Sequence, residues 1–413
     1  LFQKAYTSLL ERHEVLRTRF IEDSEGTPRQ EIIPIEEVQT EVAIYDYRGL
    51  SNQEEVVNQQ LEALNSTVFD LSSGPLIKYS LLRIGDTEYV WSLVMHHIVS
   101  DGWSMGVLHK ELSAFYNAYT TNQEPTLPKL PIQYKDYAHW HNEQLSSDSI
   151  IPHKEYWLNQ FAGELPVLEL ASDKVRPKVM TYNGARINKQ LSKETLDNLK
   201  AINQQEGGTL FMSLLTCLNV LLHKYTGQED VVIGSPIAGR EHPDLEDQIG
   251  FYINTLALRT QFDSSDSFLD LYRKVKEVTL GAFEHQVYPY DALVDDLALT
   301  RDTSRNPLFD VWMDFHGDEM TTDTLKLEGI DRKGFATESQ LVTKFDLTFI
   351  FSEIKGAGLE FYMEYNTDLY TKDQMGCLYS HMVSLLEQFS EKFNSPIQEI
   401  DLLTKSEHAY LLE

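Results

Sequence analysis

A run of strand-forming residues, YVWSLV at 89–94, passes without a linker into MHHIVSDGWS at 95–104 and then into a helical pattern that begins near Trp103. Strand side chains alternate between faces. Reading the strand through to residue 99 therefore sends His96 and His97 to opposite sides, one tethered in the structure and the other free to face a cavity. Asp101-Gly102 is turn chemistry, and it leaves an acid four residues after the second histidine. A lone histidine is most simply a core residue. A histidine at a strand end, a turn acid and a helix start together have the parts of an acyl-transfer site.

Helix and strand patterns alternate along the rest of the chain. Apolar residues at 1, 2, 5, 6, 9 and 10 predict a helix over 1–16. Short strands are expected at 32–35 and 42–44, an amphipathic helix at 54–68, a strand at 76–83 and a helix at 105–119. Pro166 and Pro177 mark 165–181 as the best linker. Beyond it the pattern gives strands at 184–191, 231–233, 255–260, 344–351 and 358–365. Helices are expected at 193–205, 209–225 and 267–284. The mixed order in both halves predicts an α/β layered architecture. The expected division is a first lobe at 1–170, a second at 171–400, and the start of a linker to a further domain at 401–413.

A chain of 413 residues has room for two or three domains. A net charge of −29 argues against nucleic acid or an anionic membrane as the main partner. No apolar run approaches the roughly 20 residues needed to span a bilayer. The chain opens at Leu1 with no basic-then-apolar leader. It reads as a fragment of a cytoplasmic protein. Cys217 and Cys377 sit among apolar residues with no metal-ligand spacing, so both are expected to be reduced core residues and no metal is expected.

Six motifs stand in order: RHEVLRTRF at 12–20, MHHIVSDGWS at 95–104, YKDYAHW at 134–140, IGFYINTLALR at 249–259, HQVYPYD at 285–291 and RDTSRNPL at 301–308. With these the chain resembles the condensation domains of non-ribosomal peptide synthetases over nearly its whole length. The family's opening motif is missing, and Val287 stands where an aspartate is frequent. The resemblance implies two lobes, each similar to chloramphenicol acetyltransferase, forming a V-shaped pseudo-dimer with a central tunnel. An acyl or peptidyl thioester on an upstream donor carrier protein would enter one side. An aminoacyl thioester on a downstream acceptor carrier would enter the other, and its amine would attack the thioester carbonyl. Both substrates would hang on phosphopantetheine arms, so the domain would need no cofactor of its own. A neighbouring adenylation domain and a monomer embedded in a multidomain synthetase are implied. Two alternatives stay open: a related acyltransferase with a hydroxyl or free amine acceptor, and a catalytically silent domain that recruits a partner. Epimerising relatives usually differ after Asp-Gly, where this chain has Trp103-Ser104, and cyclising relatives carry aspartates in place of both histidines.

Carried onto this sequence, the resemblance gives His97 the catalytic place. It would position the amine and receive the proton of the tetrahedral adduct, with a general-base role as the alternative. His96 is expected to be structural. Asp101 is expected to hold the loop through an ion pair with an arginine, Arg240 first and Arg259 second. Gly102 would permit close approach of backbone or substrate, or be a plain turn glycine; its N–H is a candidate oxyanion donor. Ser104 has no GxSxG elbow around it and reads as a helix cap rather than a nucleophile. Trp103, Ser104, Asn254 and Asn306 are candidate tunnel-lining residues, the asparagines equally able to bridge backbone. Tyr134, Trp140, Pro289 and Pro307 read as packing residues, and Arg12, Arg17 and Arg301 as structural ion-pair partners.

Overall fold

The computed structural model describes residues 1–172, 174–317, 325–335 and 341–412, which divide into two compact units. The first comprises Leu1–Ser146, Ala238–Ile253 and the described residues 325–335. Its elements are α1 (Phe2–Arg12), β1 (Thr18–Glu22), β2 (Pro28–Ile32), β3 (Ala43–Asp46), α2 (Gln53–Asn65), β4 (Ile77–Arg83), β5 (Tyr89–Met95), α3 (Gly102–Thr120) and α4 (Tyr134–Leu145). β4 lies at the centre of a three-stranded sheet, parallel to β3 and antiparallel to β5. Ala5, Tyr6, Leu9 and Leu10 line one face of α1 and share a core with Ile77 and Tyr79 of β4 and Val107, Leu108 and Leu112 of α3. Each such large side chain taken from water contributes on the order of 1.5–3 kcal/mol, which fixes α3 against α1 and the sheet.

The hairpin of β1 and β2 was not expected. Only its last residue falls in the strand predicted at 32–35, and Ile35–Glu37 is a single 3-10 turn. Its strands carry charges on facing positions, Arg19 opposite Glu31, so no apolar alternation announces them. The Asp23 carboxylate shapes the turn by accepting the backbone N–H groups of Glu25 and Thr27.

The second unit comprises α5 (Ile151–Gln160), β6 (Gly184–Leu191), α6 (Lys193–Glu206), α7 (Leu210–Thr226), β7 (Asp230–Ile237), β8 (Asn254–Gln261), α8 (Phe268–Glu284), α9 (Tyr290–Asp296), β9 (Val311–His316), β10 (Leu347–Ile354), β11 (Gly358–Asn366), α10 (Lys372–Gln388) and α11 (Lys405–Leu412). Its six strands run in the order β6-β11-β10-β9-β7-β8, with β9 parallel to both neighbours and the remaining pairs antiparallel. β9 was not anticipated. α7 is buried almost all round, as its near-continuous apolar run requires. Gly234 of β7 admits the Phe309 ring, since a Cβ there would sit 2.1 Å from it.

These units correct the expected division. Residues 147–170 fall in the second unit because Trp157 and Phe161 are buried in its core, with the Trp157 indole N–H donating to the His285 carbonyl at 2.9 Å. Residues 238–253 fall in the first unit because Ile249 is fully buried in the α1–α3 core. Residues 401–412 pack with the second unit, where the Glu407 carboxylate of α11 meets His381 of α10 at 3.1 Å. Cys217 is buried, but Cys377 is exposed on α10, which corrects its placement in the core. No helix among the described residues is long and apolar enough to cross a membrane.

One buried charge group anchors α1 to α3. Glu111, 2% exposed, accepts from Arg12 Nε at 2.9 Å and from His13 Nε2 at 2.6 Å. Removing the carboxylate would leave the guanidinium without its counter-charge. Glu111→Ala is expected to lower stability to urea by about 3 kcal/mol, read as a lower denaturation midpoint, whereas an unchanged midpoint would show that the pair holds nothing.

Candidate active site

β5 ends at Met95, earlier than expected, so neither histidine of the motif lies in the strand. The chain turns instead through a 3-10 helix at His97–Val99. Two ring contacts explain the turn. The backbone N–H of Ile98 donates to Nδ1 of His96 at 3.0 Å, and Nδ1 of His97 lies 2.6 Å from the Ser100 carbonyl oxygen. A carbonyl oxygen can only accept. Nδ1 of His97 therefore carries a proton, and in the neutral ring its Nε2 presents a lone pair. His96 has the opposite arrangement, with Nδ1 accepting and the proton on Nε2. His97 is exposed and His96 half-buried, so the two rings are separated in role, by the turn rather than by strand alternation. The Phe251 ring stands beside His97, centroids 5.3 Å apart and planes at 83°.

Asp101 is the N-cap of α3 and is 5% exposed. Its Oδ1 accepts from the Ser104 N–H at 2.8 Å, the Ser104 hydroxyl at 2.7 Å and Arg240 Nη2 at 3.1 Å. Its Oδ2 accepts from the Tyr252 N–H at 3.1 Å. The carboxylate thus has its lone-pair sites filled by the protein and none to offer a substrate.

Arg240 is committed through both terminal nitrogens, while its buried Nε has no partner among the described residues. Nη1 donates to the carbonyls of Leu245 and Gln248, and Nη2 also reaches the Ser104 hydroxyl at 3.0 Å. Its guanidinium lies 4.1 Å from the Tyr252 ring centroid. Burial lowers the Arg240 pKa and the Asp101 charge opposes that shift. Arg259, the other candidate partner, pairs instead with Asp230 at 2.6 Å in the second unit.

Ser104 corrects two expectations. It is fully buried, so it lines no cavity, and the cap of α3 is Asp101. Ser104 sits at the third helical position, its hydroxyl donating to the Asp101 carboxylate and accepting the Gly250 N–H at 3.1 Å. Trp103 is 37% exposed and donates its indole N–H to the Glu246 carbonyl at 2.8 Å. Gly102 opens α3 without a left-handed backbone, and a Cβ there would meet nothing within 4 Å. No packing of the protein asks for glycine at 102.

The two asparagines lie in the second unit. Asn254 bridges backbone: its amide donates to the Gln286 and Tyr288 carbonyls at 2.7 and 2.9 Å, and its oxygen accepts from the Tyr290 N–H at 3.2 Å. Asn306 borders a cavity of about 810 Å³ and donates to the Lys344 carbonyl at 3.1 Å. The residues that sequence reasoning passed over are Gly250, Phe251 and Tyr252; Tyr134, expected as a packing residue, packs against Tyr252. The run IGFYINT held the first three and was the available signal. The Tyr134 hydroxyl donates to the Phe251 carbonyl at 2.9 Å, and a Cβ on Gly250 would fall 2.3 Å from the Tyr134 ring. Burial raises the pKa of both Tyr134 and Tyr252, and Tyr134 packs edge-on against Tyr252, the ring under Arg240.

An exposed histidine with one nitrogen fixed and the other free, over a helix start held by a buried ion pair, is an arrangement suited to acyl transfer. The chain belongs to the condensation-domain family, whose model matches residues 1–412. It is 38% identical over 414 residues to one of the linear gramicidin synthase proteins of Brevibacillus parabrevis, covering all of this chain and 8% of that protein. It is 37% identical to one of the plipastatin synthase proteins of Bacillus subtilis (strain 168), covering 99% of this chain and 15% of the relative. The chain thus spans a small part of these synthetases. Among solved structures it resembles the X-domain from teicoplanin biosynthesis, with a TM-score of 0.86, 25% identity, and coverage of 97% of this chain and 89% of that one. It also resembles the first condensation domain of the calcium-dependent antibiotic synthetase in complex with a substrate analogue, with a TM-score of 0.72, 20% identity, and coverage of 98% and 90%. The fold is the α/β, chloramphenicol-acetyltransferase-like fold of these domains.

The ion pair predicts its own signature. Asp101→Ala and Arg240→Ala should each cost about 3–5 kcal/mol because either leaves a buried charge unpaired. The double variant should cost clearly less than their sum. Urea denaturation of the three variants reads this directly, and additive losses would deny the coupling.

Proposed function

We propose that this chain joins a carrier-bound acyl or peptidyl thioester to the amine of a second, aminoacyl thioester, forming an amide bond. The free Nε2 of His97, with its tautomer set by the Ser100 carbonyl, carries the proposal. A free α-amine titrates near about 8, so an appreciable share is already neutral and able to attack near neutral pH. The attack gives a tetrahedral adduct whose nitrogen is cationic and far more acidic than the amine. Nε2 orients the amine, takes that proton and becomes cationic. The adduct collapses by expelling the thiolate, which the imidazolium reprotonates, so the base returns to its starting state. Holding both reactants in line supplies much of the remaining acceleration. Donor and acceptor carriers bring the thioesters on their phosphopantetheine arms, so the domain itself holds no cofactor. An adenylation domain as a neighbour follows from the synthetase relatives.

A second reading is a silent domain that recruits a partner protein, favoured by the likeness to the X-domain, which has been solved in complex with OxyB. Against it stand His96, His97, Asp101 and Gly102, all present, with the buried Asp101–Arg240 pair fully hydrogen-bonded at the carboxylate.

Peptide formation between two loaded carriers tests the proposal. His97→Ala should lose at least about a hundredfold in rate, the lower range for a positioned proton acceptor, with an unchanged melting temperature. No product from the unaltered chain with any pair of loaded carriers would move the silent reading to the front.

Gly102 gives a separate test, because the space before it is empty of protein atoms. Gly102→Leu should melt within about 0.5 kcal/mol of the original, as surface substitutions do, yet lose most of its condensation rate. A fully active Gly102→Leu would show that no substrate passes that point.

A further inference from the structure

Three consecutive residues from the 238–253 segment are tied down beside His97. Gly250 donates its N–H to the Ser104 hydroxyl at 3.1 Å, and its carbonyl lies 2.9 Å from the same oxygen. The Phe251 carbonyl accepts the Tyr134 hydroxyl at 2.9 Å, and the Tyr252 N–H donates to Asp101 at 3.1 Å. Only the Phe251 side chain is left over. It makes none of these bonds, remains 40% exposed, and stands with its ring 5.3 Å from the centroid of His97. An exposed aromatic on so rigid a strap serves no evident packing need.

A group hydrogen-bonded to Nε2 sits about 3 Å from that nitrogen. The carbon bearing the acceptor's side chain is bonded directly to the reacting amine. A side chain on that carbon can reach the Phe251 ring, whose centroid lies 5.3 Å from that of the imidazole. The ring offers it hydrocarbon and no hydrogen-bonding group. An apolar side chain gains contact there, whereas a carboxylate loses water without compensation.

We infer that Phe251 is a specificity-determining residue of the site, selecting acceptor aminoacyl thioesters with apolar side chains over those with charged ones. This rests on the condensation reading for the identity of the substrate. The ring is the selecting element, and the hydrogen bonds of its backbone keep it in one place.

The test compares leucyl and aspartyl acceptors, close in size and opposite in polarity, loaded on the downstream carrier. The full chain is assayed unaltered, as Phe251→Ala and as Phe251→Leu. Neither substitution touches a hydrogen-bonded backbone group. The unaltered chain should favour leucine by at least about tenfold in kcat/KM, within the range that side-chain contacts deliver. Phe251→Ala should bring the ratio below about threefold, chiefly through a higher KM for the leucyl acceptor, and Phe251→Leu should restore it. Product formation with no leucine preference, or a preference that survives Phe251→Ala, overturns the inference and leaves the proposed function standing. If the unaltered chain makes no product, the proposed function fails, and calorimetric binding of soluble leucyl- and aspartyl-pantetheine amides decides this one. Tighter leucyl binding that is lost in Phe251→Ala upholds an apolar wall at His97; equal binding of the two amides removes it.

Discussion

The carboxylate of Asp101 is where local and distant parts of the first unit are joined. Locally it caps α3 through the Ser104 N–H, and so sets where the helix starts after the His97 turn. At long range it meets Arg240 and the Tyr252 N–H, residues more than a hundred positions away. Arg240 in turn gathers the Leu245 and Gln248 carbonyls, which rounds the 240–252 segment into a strap. The two buried charges are costly to desolvate, and an apolar pair of similar shape could serve stability as well. An apolar pair could not hold this set of backbone and hydroxyl groups at fixed angles. The pair is better understood as a device for geometry than for stability.

His97 benefits from this without touching it. Its Nδ1 proton is held by the Ser100 carbonyl, immediately before the capping acid. The cap keeps that carbonyl in place, and the strap brings the Phe251 ring to the imidazole. The proton-accepting nitrogen is thus selected by a backbone group rather than by a carboxylate of the kind found in catalytic triads. An amine near its own pKa needs no strong base. An imidazole with its Nδ1 proton fixed by the Ser100 carbonyl would answer what the proposed reaction asks.

The sequence carried the local parts of this site and little of the non-local ones. The helix after Asp101 was readable because it depends on neighbours within a few residues, although it starts at Gly102. The two histidines are parted by the 97–99 turn rather than by strand alternation. Arg240 was named as the partner of Asp101 by family resemblance, with Arg259 as second choice, since spacing alone could not distinguish them; Arg259 is engaged by Asp230 in a different sheet. Ser104 looked like a cap or a cavity residue because its partner Gly250 lies 146 positions on. The assignment of 238–253 to the first unit was hidden for the same reason: Ile249 reads as one more apolar residue until its neighbours are known. β1 and β2 escaped because charged facing pairs carry no alternation, and the strand at 89–99 was drawn too long because two side-chain-to-backbone bonds end it.

Rigidity and openness are divided between adjacent residues with unusual sharpness. Asp101 and Ser104 are buried and saturated with hydrogen bonds, while Gly102 and Trp103 between them are exposed. Gly250 and Tyr252 are bonded into the network, while the ring of Phe251 between them is not. In both segments the flanking residues supply the fixed frame and the central ones are exposed, Phe251 beside His97. A frame of this kind can keep its buried network while the outward residues change, so acceptor selectivity and structural integrity need not compete. Under the inference drawn for Phe251, residue 251 is where one such domain can differ in substrate from another, while residues 101, 104, 240 and 250 keep the buried network.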